Sequence, residues 1–223
     1  MKKILITGAN GFIGSNFLLK NLLNPNINVV NVDKASSNQR LFLKFTNYKF
    51  LKIDLLNYQK IEEVMELFHP DIVIHFAAES HVDSSINYPG KIFKNNTLST
   101  LNILNSILNL KTKINKLKFV YVSTDEVYGS SKSKSFNENN LLNPSSPYSS
   151  SKSSCELLVK SYANTYGLNY LISNCSNNFG PMQYPEKLIP LSIFKLINGF
   201  KIPVYGNGKQ VRDWIYVDDH NEA

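Results

Sequence analysis

The chain has 223 residues, 43% of them hydrophobic and 12% aromatic, enough to bury a full single-domain core and part of a second. Its formal net charge of +7 comes from lysines scattered among asparagines, with no basic block or aromatic-interleaved stripe, which argues against a nucleic-acid partner. No apolar run reaches membrane length, and Cys155 and Cys175 have neither metal-ligand spacing nor disulfide-framework density, so a cytoplasmic, globular, metal-free protein with reduced thiols is expected.

The first predicted element is a strand over 3–7, followed by Gly8-Ala9-Asn10-Gly11-Phe12-Ile13-Gly14 and a helix from about 15 to 23. Glycines at 8, 11 and 14 allow a tight turn, backbone approach to a pyrophosphate and close helix-to-sheet packing, with phosphate at the helix amino terminus. A second strand, over 29–32, ends at Asp33, nineteen residues past Gly14. A carboxylate there accepts from an adenosine ribose and repels a 2′-phosphate, which favours NAD, while Lys34 keeps an NADP reading open.

A strand over 48–53 runs into Asp54-Leu55, a natural place to contact an adenine ring, and a helix over 58–68 lines up Ile61, Val64, Met65 and Phe68. The strand over 71–76 leads into Ala77-Ala78-Glu79-Ser80-His81-Val82-Asp83. Ala77 and Ala78 either let a flat cofactor lie against the backbone or pack a helix. His75, at an apolar strand end, reads as a satisfied core histidine.

A helix over 95–110 connects to a strand over 119–122, whose polar end Ser123-Thr124-Asp125-Glu126-Val127-Tyr128-Gly129 falls at the carboxyl edge of a parallel sheet, where open α/β sheets hold ligands. Asp125 and Glu126 can share a pocket only if the strand has begun to turn, because neighbours in a regular strand point to opposite faces. Otherwise they are a solvated loop pair. Residues 130–147 form a long loop of the kind that serves as a lid or binding segment. Tyr148 and Lys152, four apart at the start of a helical pattern reaching Tyr166, project from one face.

A strand over 170–173 then leads to Asn174-Cys175-Ser176-Asn177-Asn178-Phe179-Gly180-Pro181. The alternation of strands and helices implies an α/β, doubly wound parallel sheet of Rossmann type over 1–175. The beginning of a smaller substrate region, over 176–223, is expected to interleave with it.

These motifs, with Pro185-Glu186-Lys187-Leu188-Ile189-Pro190 and Gln210-Val211-Arg212-Asp213-Trp214, resemble the extended short-chain dehydrogenase/reductases and most closely the dTDP-glucose 4,6-dehydratase family. The glycine and Tyr/Lys motifs are common to the superfamily. Asp125-Glu126 with the last two motifs is specific to the dehydratases. The resemblance implies an NAD-dependent hydro-lyase of deoxysugar biosynthesis, acting on dTDP-glucose as a homodimer with NAD as a resident prosthetic group.

The resemblance also implies roles for particular residues. Catalysis would fall to Thr124, Asp125, Glu126, Tyr148 and Lys152. NAD would meet Gly8, Gly11, Phe12, Ile13, Gly14, Asp33, Lys34, Asp54, Leu55, Ala77, Ala78, Ser80, Asn95, Tyr148, Lys152 and Asn178. Substrate would meet Ser80, Thr124, Asn177, Lys187, Leu188, Pro203, Tyr205 and Arg212. Pro203-Val204-Tyr205 is either a base-contacting segment or an edge strand.

In the implied reaction the C5 proton of the sugar becomes acidic only when C4 is a ketone, so oxidation precedes elimination. Tyr148 would take the C4 hydroxyl proton, Thr124 would bond the same oxygen, Glu126 would remove the C5 proton and Asp125 would protonate the departing C6 hydroxyl. A free phenol titrates near 10, so lowering it by about three units, on the order of 4 kcal/mol, is expected of Lys152 and the nicotinamide cation together.

The family usually has Arg where Ser84 stands. Its members also continue past Ala223, while His220-Asn221-Glu222-Ala223 looks like the opening turn of a helix, so the chain is expected to be C-terminally truncated and a poor catalyst by itself. A sugar-nucleotide 4-epimerase would share the fold and the Tyr/Lys pair without a use for Asp125-Glu126. A GDP-mannose 4,6-dehydratase would keep the glutamate but not usually the aspartate, and a non-catalytic NAD-binding fragment is the third alternative.

Overall fold

In the computed structural model, which describes residues 1–35, 37–110, 116–131, 135–204 and 206–223, and only the backbone of 82–84, the apolar stretch Lys2–Thr7 forms the central strand β1. Five more strands join it in parallel: β2 (Ile27–Asp33), β3 (Tyr48–Lys52), β4 (Ile72–His75), β5 (Lys118–Val122) and β6 (Asn169–Ser173). Their order is β3-β2-β1-β4-β5-β6. The direction of winding reverses between β1 and β4, where Thr7 pairs with Val32 on one side and His75 on the other, and the carboxyl ends there open the crevice in which such sheets bind ligands.

Helices cover both faces. Ile4 and Ile6 of β1 face α1 (Phe12–Asn21), packing in a cluster with Leu18, Leu22, Val29, Phe42 and Ile74. Leu5, pointing the other way as strand alternation requires, joins Val73, Phe119 and Tyr121 against α2 (Tyr58–Phe68), α4 (Pro89–Asn109) and α5 (Pro147–Tyr166). Burying each such Leu, Ile or Phe contributes about 1.5–3 kcal/mol, and this two-sided burial makes the strands apolar runs.

Several boundaries differ from the sequence reading. Helix α1 begins at Phe12 rather than Ser15, which places Phe12 and Ile13 in its first turn. Helix α4 begins at Pro89 rather than Asn95: Pro89 suits the first helical position, but the turn it opens is mostly exposed and carries no apolar stripe. A short helix α3 (Val82–Asn87) was not foreseen. Helix α5 starts at Pro147, fixed by a capping box in which Ser146 and Ser149 bond each other's backbone N–H at 3.0 and 3.1 Å.

Beyond β6 lies a second sheet of two parallel strands, β7 (Asn177–Phe179) and β8 (Trp214–Tyr216), with α6 (Leu188–Ile197) between them and α7 (Val217–Glu222) after. It is tied to α1: Asn16 Nδ2 donates to the Pro181 carbonyl at 2.9 Å, Asn221 Nδ2 to the Ile13 carbonyl at 3.3 Å, and Lys20 pairs with Glu222. Pro203 and Val204 are exposed and form no strand, and Tyr205 lies outside the described residues. Among the described residues no helix is long and apolar enough to cross a membrane.

Candidate active site

At the crevice, Gly8 adopts φ +75, a conformation L side chains rarely take, and a Cβ on it would stand 2.5 Å from the Ala77 Cα. A Cβ on Gly14 would stand 2.6 Å from the Ala9 Cα. Gly11 caps α1 without a side-chain bond, so the N–H groups of the first turn face the crevice as an anion site. At the end of β2, Asp33 accepts from Asn10 N at 3.1 Å and Ala35 N at 3.0 Å. Burial pushes its pKa up, against those bonds and the charge of Lys34. Lys34 itself pairs with Glu79 across the crevice. A turn with no room for a Cβ, an uncapped helix start and a carboxylate at the neighbouring strand end together fit a dinucleotide.

The remaining residues expected at a cofactor are disposed unevenly. Ala77 lies against Gly8 and also packs on the core cluster that includes Ile103 and Leu104 of α4, and Ala78 is half-buried beside it. Asp54 is exposed, and the Leu55 side chain belongs to the core while its carbonyl accepts from Asn102 Nδ2 at 2.8 Å. Ser80 is exposed and Asn95 half-buried. Its neighbour Asn96, which the sequence reading passed over, is 2% exposed. Asn96 accepts from Glu79 N at 2.8 Å and donates to the Glu79 carbonyl at 3.2 Å and Ser151 Oγ at 2.9 Å, joining the loop after β4 to α5 between Tyr148 and Lys152.

His75 is the core histidine the sequence suggested. The Thr100 hydroxyl donates to the Asn96 carbonyl at 2.9 Å, so it accepts from His75 Nε2–H at 3.1 Å, and Thr7 donates to Nδ1 at 2.6 Å. Complete burial, with the charge of Lys152 adding, brings the His75 pKa down to about 3.

The carboxylate pair lies where β5 gives way to a tight 3₁₀ turn over Asp125–Tyr128. Thr124 is its cap, its Oγ1 accepting from Glu126 N at 3.3 Å and donating to Asp125 Oδ1 at 3.3 Å. Successive side chains in such a turn are about 120° apart rather than opposed, so Asp125 and Glu126 do not point to opposite faces as strand neighbours would. Burial pushes both pKa values up; the Asp125 charge adds to that at Glu126, while Arg212 and Lys187 oppose it there.

Tyr148 is 9% exposed on the first turn of α5. Burial pushes its phenol well above the ordinary value, and the charges of Glu126, Cys175 and Asp125 push in the same direction. Lys152, 2% exposed, donates to the Val122 carbonyl at 2.6 Å and lies 4.2 Å above the centre of the Tyr121 ring. Desolvation brings its pKa down to about 8. In the chain by itself the ammonium is engaged with a carbonyl and a ring face and burial dominates at the phenol, whereas the expected lowering of the phenol by Lys152 and the nicotinamide cation together concerns the cofactor-bound site. Burial also pushes the Cys175 thiol up to about 11.

A second polar cluster sits beneath these groups and carries no local sequence signal. Glu156, 1% exposed, accepts on Oε1 from Ser123 Oγ at 2.5 Å and from Asn174 Nδ2 at 2.6 Å.

On the outer side, Asn177 Nδ2 donates to the Asp213 carbonyl at 3.2 Å and so braces the segment bearing Arg212, whose own Nη1 donates to the Val211 carbonyl at 2.9 Å. Asn178, 9% exposed, accepts from His220 Nδ1 at 2.9 Å. Lys187 caps α6 and, with Arg212, is close enough to act on Glu126. Leu188 and Pro203 are exposed.

Residues 5–223 match the family model described as GDP-mannose 4,6 dehydratase. The dTDP-glucose 4,6-dehydratase of Xanthomonas campestris is 42% identical over 230 residues, covering 98% of this chain and 65% of that protein. The dTDP-glucose 4,6-dehydratase of Bacillus anthracis, solved in complex with NAD, superposes with TM-score 0.89 at 38% identity, over 100% of this chain and 70% of that one. The UDP-glucose 4-epimerase of Thermotoga maritima also reaches TM-score 0.89, at 31% identity, over 99% and 71% of the two chains. The chain thus spans about two thirds of the length of the curated relatives it matches.

Proposed function

We propose that this chain, which belongs to the dTDP-glucose 4,6-dehydratase family, carries the NAD-dependent machinery that converts dTDP-glucose to dTDP-4-dehydro-6-deoxyglucose. The observation that carries the reading is that the turn bearing Asp125 and Glu126 continues directly from the end of β5, to which the Lys152–Val122 bond ties the helix bearing Tyr148. Backbone similarity does not separate dehydratases from 4-epimerases, since one of each superposes equally well. The carboxylate pair does, because only elimination needs an acid and a base besides the Tyr/Lys pair.

When bound, NAD supplies the acceptor that takes hydride from C4 and gives it back at C6. The turn around Gly8, Gly11 and Gly14 and the first turn of α1 would hold its pyrophosphate, and Asp33 its adenosine ribose. Thr124 and Tyr148 hold the C4 oxygen, and Tyr148 takes its proton. Because burial keeps the phenol protonated in the chain alone, this step requires cationic charge beside it, from Lys152 and the oxidised ring. Glu126 then removes the C5 proton, and Asp125, whose raised pKa helps it keep a proton, delivers it to the C6 hydroxyl, which leaves as water. Asn177, Lys187 and Arg212 would meet the nucleotide diphosphate.

The reading divides the chain into an NAD-binding unit over 1–175 and a sugar-nucleotide unit over 176–223, working in the cytoplasm as a homodimer. Phe93 and Leu157, 41% and 59% exposed on the mutually packed α4 and α5, offer an apolar surface for a second copy. Whatever length of the protein consumes dTDP-glucose in the presence of NAD should yield the dehydrated 4-keto-6-deoxy sugar by mass spectrometry. A 4-epimer of unchanged mass would select the epimerase reading instead.

A further inference from the structure

Glu156 is a fully buried carboxylate that the proposed chemistry does not use. It lies one helical turn beyond Lys152 on α5, and its two short bonds reach Ser123 at the end of β5 and Asn174 after β6. Ser123 is followed directly by Thr124, Asp125 and Glu126. Asn174 is followed by Cys175, whose carbonyl accepts from Asp125 N at 3.0 Å. The Asn174 amide also reaches the Thr124 carbonyl at 3.4 Å. Three segments of the site therefore meet at one oxygen atom. Among the described residues the cation paired with it, Lys160, is 3.8 Å from the other oxygen and 43% exposed, so the carboxylate is held chiefly by these neutral donors.

A buried carboxylate of this kind is a weak source of stability, because desolvation offsets most of what its bonds return. Two short bonds that bring a strand end and a loop to one acceptor oxygen on a helix do fix geometry. We propose that Glu156 is a positioning residue of the dehydration, holding the turn with Thr124, Asp125 and Glu126 in register with the helix that carries Tyr148 and Lys152. This rests on the functional reading above, but its structural half can be tested without it.

The test compares the 223-residue wild type with Glu156→Gln, which keeps an acceptor oxygen in the same place, and Glu156→Met, which keeps the volume and removes the acceptor. Amide hydrogen exchange at Ser123 and Asp125, bonded to the Ser173 and Cys175 carbonyls, reports the register directly. We expect Glu156→Met to speed exchange at these two amides at least tenfold while Ile6 and Ile74 keep their rates and the NAD dissociation constant stays within threefold. Glu156→Gln should stay within threefold of wild type at all four. Should Glu156→Met lose protection everywhere, Ser123→Ala, which removes one of the two donors, should still speed Asp125 severalfold and locally.

Unchanged Ser123 and Asp125 exchange in folded Glu156→Met, no local change in Ser123→Ala, or equal loosening in the Gln and Met variants would overturn the proposal. The sugar product, from whatever length of the protein consumes dTDP-glucose, tests the functional reading separately. A 4-epimer in place of the dehydrated sugar would defeat that reading and leave the exchange result to decide the role of Glu156 in the fold of the site.

Discussion

Lys152 donates from Nζ to the Val122 carbonyl oxygen at 2.6 Å, tying the helix that bears Tyr148 to the end of the strand that leads into Thr124, Asp125 and Glu126. The bond substitutes for water at an ammonium that is 2% exposed, but incompletely, and the pKa falls to about 8.

A first prediction follows from that value. A lysine depressed from its ordinary 10.5 to about 8 contributes stability that is present above the unfolded pKa and lost as pH falls through 8, so at neutral pH its charge is a cost to the fold. Lys152→Met should therefore be more stable than wild type at pH 7, by on the order of 1–3 kcal/mol, with the gain shrinking toward pH 10. Denaturant melts at both pH values check this, and the Lys152 resonance of isotope-labelled protein should titrate near 8.

The preference for NAD over NADP should rest on Asp33, with Lys34 occupied by Glu79. Asp33→Ala removes the carboxylate that would face a 2′-phosphate and should narrow the ratio of the two dissociation constants at least tenfold, or about 1.4 kcal/mol, by calorimetric titration. Tighter binding of NADP than NAD by wild type would contradict the assignment.

Acid sensitivity should trace to His75. Its pKa is lowered from 6.5 to about 3, so its contribution is present above pH 6.5 and lost progressively as pH falls toward 3, up to about 5 kcal/mol in all. His220, also lowered by burial, acts in the same direction. His75→Gln should be less stable than wild type at pH 7 yet show a shallower loss between pH 6.5 and 4 in urea midpoints.

The sheet and the crevice were legible because they rest on local signals. Short apolar runs gave all six strands of the main sheet within two residues of their observed ends, and the spacing of Gly8, Gly11 and Gly14 marked a turn whose cramped geometry the structure displays. The helix over Tyr58–Phe68 matched because its apolar residues keep a helical period, whereas α4 was cut short because residues 89–94 lack one. The site's supporting polar groups were invisible for a different reason. Glu156 finds Ser123 33 residues away and Asn96 finds Ser151 55 residues away, and nothing in either neighbourhood distinguishes them from solvent-facing side chains. The turn that Asp125 and Glu126 need if they are to share a pocket is present, capped by Thr124.

The central claim is that oxidation and elimination are served by different residues of one pocket, and Glu126→Gln tests it most directly. The variant keeps the shape of the side chain and removes the base. It should be examined by stopped-flow absorbance of reduced nicotinamide and mass spectrometry of the sugar, with Tyr148→Phe alongside, in whatever length of the protein turns over dTDP-glucose. The account predicts no NADH with Tyr148→Phe. With Glu126→Gln, NADH should accumulate in the first turnover while 4-keto-6-deoxy product and C5 deuterium exchange fall at least a hundredfold, the usual scale for a general base. Loss of NADH formation in Glu126→Gln with cofactor still bound, or C5 exchange at the wild-type rate, would contradict it.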